Sequence, residues 1–361
     1  MKEATELFNI RQTEDMLRKM ILTPSSNTDD KKAIVGFVTG ILKKNGFKCK
    51  TVGDTRSPAI IAAIGKNGML FSGHLDTVPI GDGWKFNQGE MKGSIMHGRG
   101  TSDMKGGCVA MLLAATELSK RKTPVTIVFT TDEETTMKGA ETVSKEDVVR
   151  NAKAIVVCEP TSLSIGSREK GLLQMKLTTR GKSAHAAMPK SGENAIHKFL
   201  EITDKLRSLM IVPADPMKEM TLNLDVIRAG AKVNVLPDLC EAEIDVRTPA
   251  GMPTLDALRI VKDRILGLDC ELNVLNSLEP ICTSEKTEIV RIIKLLKKKV
   301  KTIDIAYATE MTKYSKKNDN LIAFGPGDPT QAHVIDERID VREVLEAARV
   351  YVSLSRSRWR T

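Results

Sequence analysis

The sequence predicts an α/β protein interrupted by a second domain of βαββαβ order. Three observations carry this reading. Short apolar runs alternate with amphipathic segments through the first half of the chain. Near Gly171 the pattern changes to the alternation of half-exposed strands. After residue 278 a helix, an apolar run and a closing helix resume the first pattern. The predicted boundaries are 1–171 with 279–361 for the first domain and 172–278 for the inserted one.

Taken in chain order, Ala59–Ile64 and 69–72 are unbroken apolar runs and read as strands. Residues 107–118, opened by two glycines, read as a helix. Val125–Thr130 and 154–157 are buried-strand runs. Residues 172–179 then alternate, 193–209 are helix-like, 220–227 and 240–246 are strands, 254–266 a helix and 270–275 a strand. That succession is the split arrangement of a ferredoxin-like domain. The run 291–301, R-I-I-K-L-L-K-K-K-V-K, places Ile292, Ile293, Leu295, Leu296 and Val300 near helical spacing. It predicts an amphipathic helix with a solvated basic face. An apolar run at 321–324 and a helix from about Val341 complete the first domain.

Composition narrows the function classes. With 361 residues, 41% hydrophobic and 28% charged, the chain can bury two full cores. Aromatics are only 4%, so those cores are aliphatic. No apolar stretch reaches the length of a membrane span, and 1–6 lacks the apolar segment of a leader, which predicts a cytoplasmic location. The six cysteines form no C-x-x-C pair and read as reduced structural thiols. The net charge of +9 gathers partly in 291–301. No interleaved aromatics or nucleic-acid motif accompany it, so neither a nucleic-acid nor a membrane partner is expected.

The candidate chemistry is positional. His74 follows the apolar run from Met69, with Asp76 two residues on, where extended chain points both side chains the same way. Asp132, Glu133 and Glu134 follow Val125–Thr130, Glu159 follows 154–158, and His333 lies beyond 321–324 and a Gly-Pro-Gly turn. Metal-competent side chains thus gather at the carboxyl ends of four predicted strands, the edge where open α/β sheets bind ligands. Singly each feature is weak: a Glu-Glu pair after a strand is ordinarily a solvated turn, and Gly98-x-Gly100 ordinarily only a turn. Together they point to a site. Two histidines with several carboxylates suit Zn, Co or Mn better than Mg or Ca, and a bridging carboxylate would make a two-metal hydrolytic centre. If extended, Glu133 and Glu134 point to opposite sides, so one can bind metal while the other stays free as a base.

These residues carry a resemblance. The segments S-G-H-L-D-T-V-P (72–79), G-R-G-T-S-D-M-K-G-G (98–107), T-D-E-E (131–134), C-E-P-T-S-L (158–163), G-K-S-A-H-A-A-M-P (181–189), N-V-L-P (234–237) and G-P-G-D-P-T-Q-A-H (325–333) keep the order of the two-metal metallopeptidase family that includes acetylornithine deacetylase, succinyl-diaminopimelate desuccinylase and the aminoacylases. The resemblance implies a metallopeptidase-like catalytic domain with an inserted lid and dimerisation domain, 172–278. It implies that His74, Asp103 and Glu159 hold one metal and Asp103, Glu134 and His333 the other, with Asp103 bridging. Asp76 would orient His74 and Glu133 would be the general base. His185 would stabilise an oxyanion in a neighbouring subunit of a homodimer, and Asn234 and Arg247 would bind a substrate carboxylate. His97 and His197 match no family ligand and read as structural.

The implied reaction is hydrolysis of the amide of a small N-acyl amino acid, as in amino-acid biosynthesis, with two divalent ions, Zn foremost and Co or Mn as alternatives. Glu159-Pro160-Thr161-Ser162-Leu163 and Thr309-Glu310 are most similar to the acetylornithine deacetylases. Desuccinylase is the nearest rival, followed by dipeptidase or carboxypeptidase. A non-catalytic binding module using the basic helix is the reading from a different class.

Overall fold

A computed structural model describes residues 8–359; the leader reading at 1–6 lies outside them. The chain divides into two compact units. One runs to Ser167, resumes over Thr283–Ile303 and closes from Thr309; the other takes Arg168–Cys282 and Asp304–Ala308. The stretch 172–278 lies within the second unit.

The first unit is built on a mixed sheet. Its strand order is Lys48–Val52, Ala59–Ile64, Val125–Thr130, Met69–His74, Ile155–Val157 and Leu321–Ala323, and the strand Ile165–Glu169, whose first three residues belong to this unit, follows. The central strands Val125–Thr130, Met69–His74, Ile155–Val157 and Leu321–Ala323 are mutually parallel, so their carboxyl ends share one edge. Unbroken apolar sequence suits strands covered on both faces, and every residue of Met69–His74 is buried. The strand runs two residues past its predicted end at Ser72, because His74 still pairs in register with Thr130. His74 therefore closes the strand rather than following it.

Helix Gly106–Lys120 is buried almost all round. Helix Val341–Arg356 packs on it and is started by Asp340, whose side chain accepts from the Arg342 N–H. The Tyr351 ring of that helix lies 4.8 Å, centroid to centroid, from that of Phe71 at a 40° tilt, and its hydroxyl donates to the Phe324 carbonyl at 2.8 Å. Gly107 is a close-approach glycine: a Cβ there would lie 2.2 Å from the Cys158 carbonyl oxygen. Gly107→Ala is expected to cost about 3 kcal/mol through this backbone overlap, read as a lower urea midpoint. A midpoint equal to wild type would refute it.

The basic run is only partly helical. The helix spans Glu288–Leu296 and buries Ile289, Val290, Ile292 and Ile293. The correction to the predicted 291–301 has a simple cause: the apolar face that anchors the helix begins at Ile289, and the lysines after Leu296 offer nothing to bury. Leu295 is 76% exposed. The short strands Glu90–Lys92, Ile95–His97 and Arg338–Asp340, which form a separate sheet, carry too little apolar sequence to be read in advance.

The second unit has strands Gly171–Arg180, Thr221–Ala229, Leu239–Thr248 and Glu271–Leu278 and helices Ala195–Leu206 and Thr254–Arg264. Its all-antiparallel sheet has the order Thr221–Ala229, Leu239–Thr248, Gly171–Arg180, Glu271–Leu278, the ferredoxin-like arrangement. Leu173, Met175 and Leu177 alternate inward and pack with Phe199, Ile202 and Val261. Asn194 starts the first helix by accepting the Ile196 N–H at 2.9 Å.

Candidate metal centre

The shared strand edge of the first unit collects the candidate ligands. His74, 1% exposed, directs Nδ1 to the carbonyl oxygen of Asp76 at 2.9 Å. A carbonyl only accepts, so Nδ1 carries a proton, and Nε2 is the nitrogen that faces the neighbouring carboxylates and could take a metal. Nε2 lies 3.2 Å from Asp103 Oδ1 and 3.8 Å from Glu159 Oε1. The other oxygen of Asp103, Oδ2, lies 3.5 Å from His333 Nε2, which is 2.9 Å from Glu134 Oε2. Asp103 thus offers each of its two oxygens to a different imidazole. Donor atoms of His74, Asp103 and Glu134 fall within 4.8 Å of one another.

The turn after Val125–Thr130 is held from two sides. The Asp76 carboxylate accepts the backbone N–H of Glu133 at 3.2 Å on Oδ1 and that of Glu134 at 3.1 Å on Oδ2. Its Oδ1 is 3.6 Å from His74 Nδ1. Asp76 therefore touches His74 chiefly through its carbonyl and spends its carboxylate on the Glu133–Glu134 backbone. Asp132 spends its carboxylate on the Lys138 and Gly139 N–H groups at 2.7 and 2.9 Å, in the first turn of the next helix, Lys138–Ser144.

Electrostatics match a cation site. Burial pushes the Glu133 carboxyl well up, with His74 pulling it back and the Glu159, Glu134 and Asp103 carboxylates pushing further. Glu159 is raised for the same reasons, burial first. Carboxylates gathered out of water are costly unless a cation offsets them. The donor set, two imidazoles and three carboxylates, is the hard-to-borderline mixture that zinc, cobalt and manganese accept.

Behind the candidate ligands lies Glu310, fully buried. It accepts from Ser72 Oγ at 2.7 Å and from Thr130 Oγ1 at 2.5 Å, and Tyr314 OH lies 3.4 Å away. Ser72 stands two residues before His74, and Thr130 three before Glu133. One carboxylate thus ties together the strand that ends in the candidate ligand His74 and the strand before the adjoining acids. Glu310→Ala removes the acceptor of Thr130 Oγ1 and leaves Ser72 Oγ only Tyr314 OH, at 2.9 Å. It is expected to cost about 3 kcal/mol, measured by urea unfolding of the metal-free protein; a loss below about 1 kcal/mol would refute it.

The remaining sequence candidates lie in the second unit. His185 is exposed, and its Nδ1 accepts the Ala187 N–H at 3.1 Å. Its loop pairs with that of Asn234, whose carbonyl accepts the Ala186 N–H at 3.0 Å. Arg247 is bound to Asp245 in a two-pronged ion pair, Nε–Oδ1 2.7 Å and Nη2–Oδ2 3.1 Å. His97 is buried and stacks on Phe86 with ring centroids 3.9 Å apart, and His197 lies on the helix Ala195–Leu206. Among the described residues no helix is long and apolar enough to cross a membrane.

Comparison with known proteins gives the family context. The sequence profile of peptidase family M20/M25/M40 matches residues 70–357. The chain is 30% identical over 359 residues to an acetylornithine deacetylase of Proteus mirabilis, covering 91% of this chain and 92% of that one. It is 27% identical over 361 residues to a probable succinyl-diaminopimelate desuccinylase of Staphylococcus epidermidis, covering 86% of each. The fold is similar to a crystal structure from Bacillus subtilis described as a dinuclear metal binding peptidase from the M20 family. The TM-score is 0.73 at 15% identity, covering 96% of this chain and 97% of that one.

Proposed function

This chain belongs to peptidase family M20/M25/M40 and is a metal-dependent hydrolase of amides, and from that premise we propose that it removes the acyl group from an N-acyl amino acid, acetylornithine-like in class. The observation that carries the site assignment is Asp103, whose two carboxylate oxygens face different histidines. His74, Asp103 and Glu159 would hold one divalent ion, and Asp103, Glu134 and His333 a second. Zinc suits the donor set best, with cobalt or manganese as substitutes. Membership in this hydrolase family sets aside the non-catalytic reading through the basic helix.

When bound, such ions polarise the amide carbonyl and make water a nucleophile near neutral pH. The protein's own part is proton handling and positioning. Glu133 takes the proton of the attacking water and returns it to the leaving amine nitrogen. Its backbone is fixed by Asp76, so the base and the neighbouring ligand Glu134 move as one turn. His185 would donate to the developing oxyanion, and Asn234 and Arg247 would hold the substrate carboxylate. Arg247 already grips Asp245, so a substrate carboxylate would share or replace that partner.

A homodimer built through the second unit belongs to the same proposal. Both outer strands of its sheet leave one edge unpaired among the described residues, and Ile227, Val274 and Leu275 on them are exposed. A cytoplasmic location is proposed as well, since all six cysteines are free thiols. A fully active monomer in solution would refute His185 acting across subunits.

The deciding experiment is a substrate panel with zinc, cobalt or manganese present: N-acetylornithine and other N-acetyl amino acids, N-succinyl-diaminopimelate and dipeptides. N-acetyl amino acids are expected to give the highest kcat/KM; preference for the succinyl substrate or a dipeptide overturns the acyl assignment. Chelation followed by gel filtration should abolish turnover, and returning metal should restore it. Hydrolysis that survives complete metal removal would refute the metal reading.

A further inference from the structure

Neither the candidate ligands nor the proposed base accounts for a buried ion pair next to them, Arg99 with Glu337. Glu337 is fully buried and Arg99 is 5% exposed. Glu337 Oε1 accepts the backbone N–H groups of Ser102 at 2.8 Å and Asp103 at 3.0 Å. Its Oε2 accepts the Gly100 N–H at 2.9 Å and Arg99 Nη1 at 2.9 Å. Its carbonyl accepts the Gly98 N–H at 2.9 Å. Four acceptor positions of one carboxylate are thereby spent on a single loop, the one that presents Asp103.

Arg99 reaches in the other direction. Its Nε donates to the Pro79 carbonyl at 3.2 Å and its Nη1 to the Val334 carbonyl at 3.1 Å. Pro79 closes the loop that begins at His74 and Asp76, and Val334 directly follows His333. The pair therefore joins three loops: the one after His74, the one bearing Asp103 and the one bearing His333. Loop 98–103 needs such a partner, because buried N–H groups without acceptors are strongly disfavoured.

We infer that Arg99 and Glu337 are positioning residues that set the distance between His74, Asp103 and His333, and so control binding of the second metal ion. The inference rests on the reading of Asp103 as the shared ligand. It reaches beyond that reading to residues that touch neither metal nor substrate. Glu337→Gln is the sharpest probe, since an amide NH₂ placed against backbone N–H groups cannot accept from them. Arg99→Met is the second probe, removing the ties to Pro79 and Val334 while leaving Glu337 on its amides.

The measurement is titration of metal-free full-length protein with cobalt(II), followed by its visible absorption and by calorimetry, alongside kcat and KM. Both variants are expected to bind the second equivalent about 10–100-fold more weakly and to change the visible band, with kcat falling to match. KM at saturating cobalt should stay within about threefold. Glu337→Asp, which keeps the charge, should recover part of the affinity. Val38→Ala, a core substitution in helix Lys32–Lys44, controls for lost stability. If it weakens the second equivalent to the same degree, or if a folded Glu337→Gln or Arg99→Met titrates like wild type, the inference is overturned. Asp103→Ala separates the two claims: two cobalt equivalents bound at wild-type affinity there would refute the shared ligand itself, whatever the pair does.

Discussion

Glu133→Gln lowers kcat by about 10²–10⁴-fold, the span that a positioned general base contributes, and leaves the metal content unchanged. The expectation follows from how the Glu133–Glu134 turn is held. The neighbouring carboxylate, Glu134, is engaged with His333 at 2.9 Å. The two backbone N–H groups are fixed by Asp76, so a glutamine at 133 keeps the turn and the shape and loses only the proton acceptor. Burial holds the Glu133 carboxyl above the ordinary carboxylate range. The base works only when ionised, so kcat/KM of the wild type should fall as pH drops through that raised value, and bound cations would offset part of the rise. The residual rate of Glu133→Gln should lack that acid limb. Metal analysis, kcat and a pH profile on one preparation decide the matter. An unchanged kcat removes Glu133 as the base, whereas loss of metal would make it a ligand instead.

How much of this was legible in the sequence depends on whether a residue acts through a local pattern or through a long-range partner. The parallel strands were readable because burial on both faces demands unbroken apolar runs, as in Met69–Leu70–Phe71. His74, Glu134 and Glu159 are legible as candidates because each stands at or shortly after the end of such a run, and His333 because it follows another run and a Gly-Pro-Gly turn. The roles of Glu310 and Glu337 were not. Thr309-Glu310 is marked in the sequence only by its resemblance, and Glu337 lies in an ordinary polar stretch, I-D-E-R. What makes each of them matter is a partner far away in sequence: Ser72 and Thr130 for Glu310, and the Gly100–Asp103 amides for Glu337. Periodicity does not report such pairings. The short sheet containing Arg338–Asp340 and the early start of the basic helix at Glu288 were missed for a related reason: their stability comes from tertiary packing rather than from local propensity.

Asp103→Ala should weaken both metal equivalents at once, by more than the about 10–100-fold typical of an outer-shell partner, and turnover should fall with occupancy. The reason is the sharing. Oδ1 faces His74 and Oδ2 faces His333, so deleting this side chain removes one donor from each group of three. His74 and Glu159 would then be left together in a buried pocket, and Glu134 and His333 in a more open one. The two halves differ in exposure, the His74 side chain being 1% exposed and that of His333 53%. Ions returned at high concentration should therefore refill the outer half faster than the inner one. Asp103→Asn keeps the loop hydrogen bonds to Glu337 and one neutral oxygen donor, so it should retain one equivalent better than two. Calorimetry with zinc or cobalt gives the stoichiometry directly. Loss of a single equivalent in Asp103→Ala, with the other untouched, would show that the carboxylate serves one ion and not both. The centre would then be two separate sites sharing a pocket, and catalysis would have to be assigned to whichever ion remained.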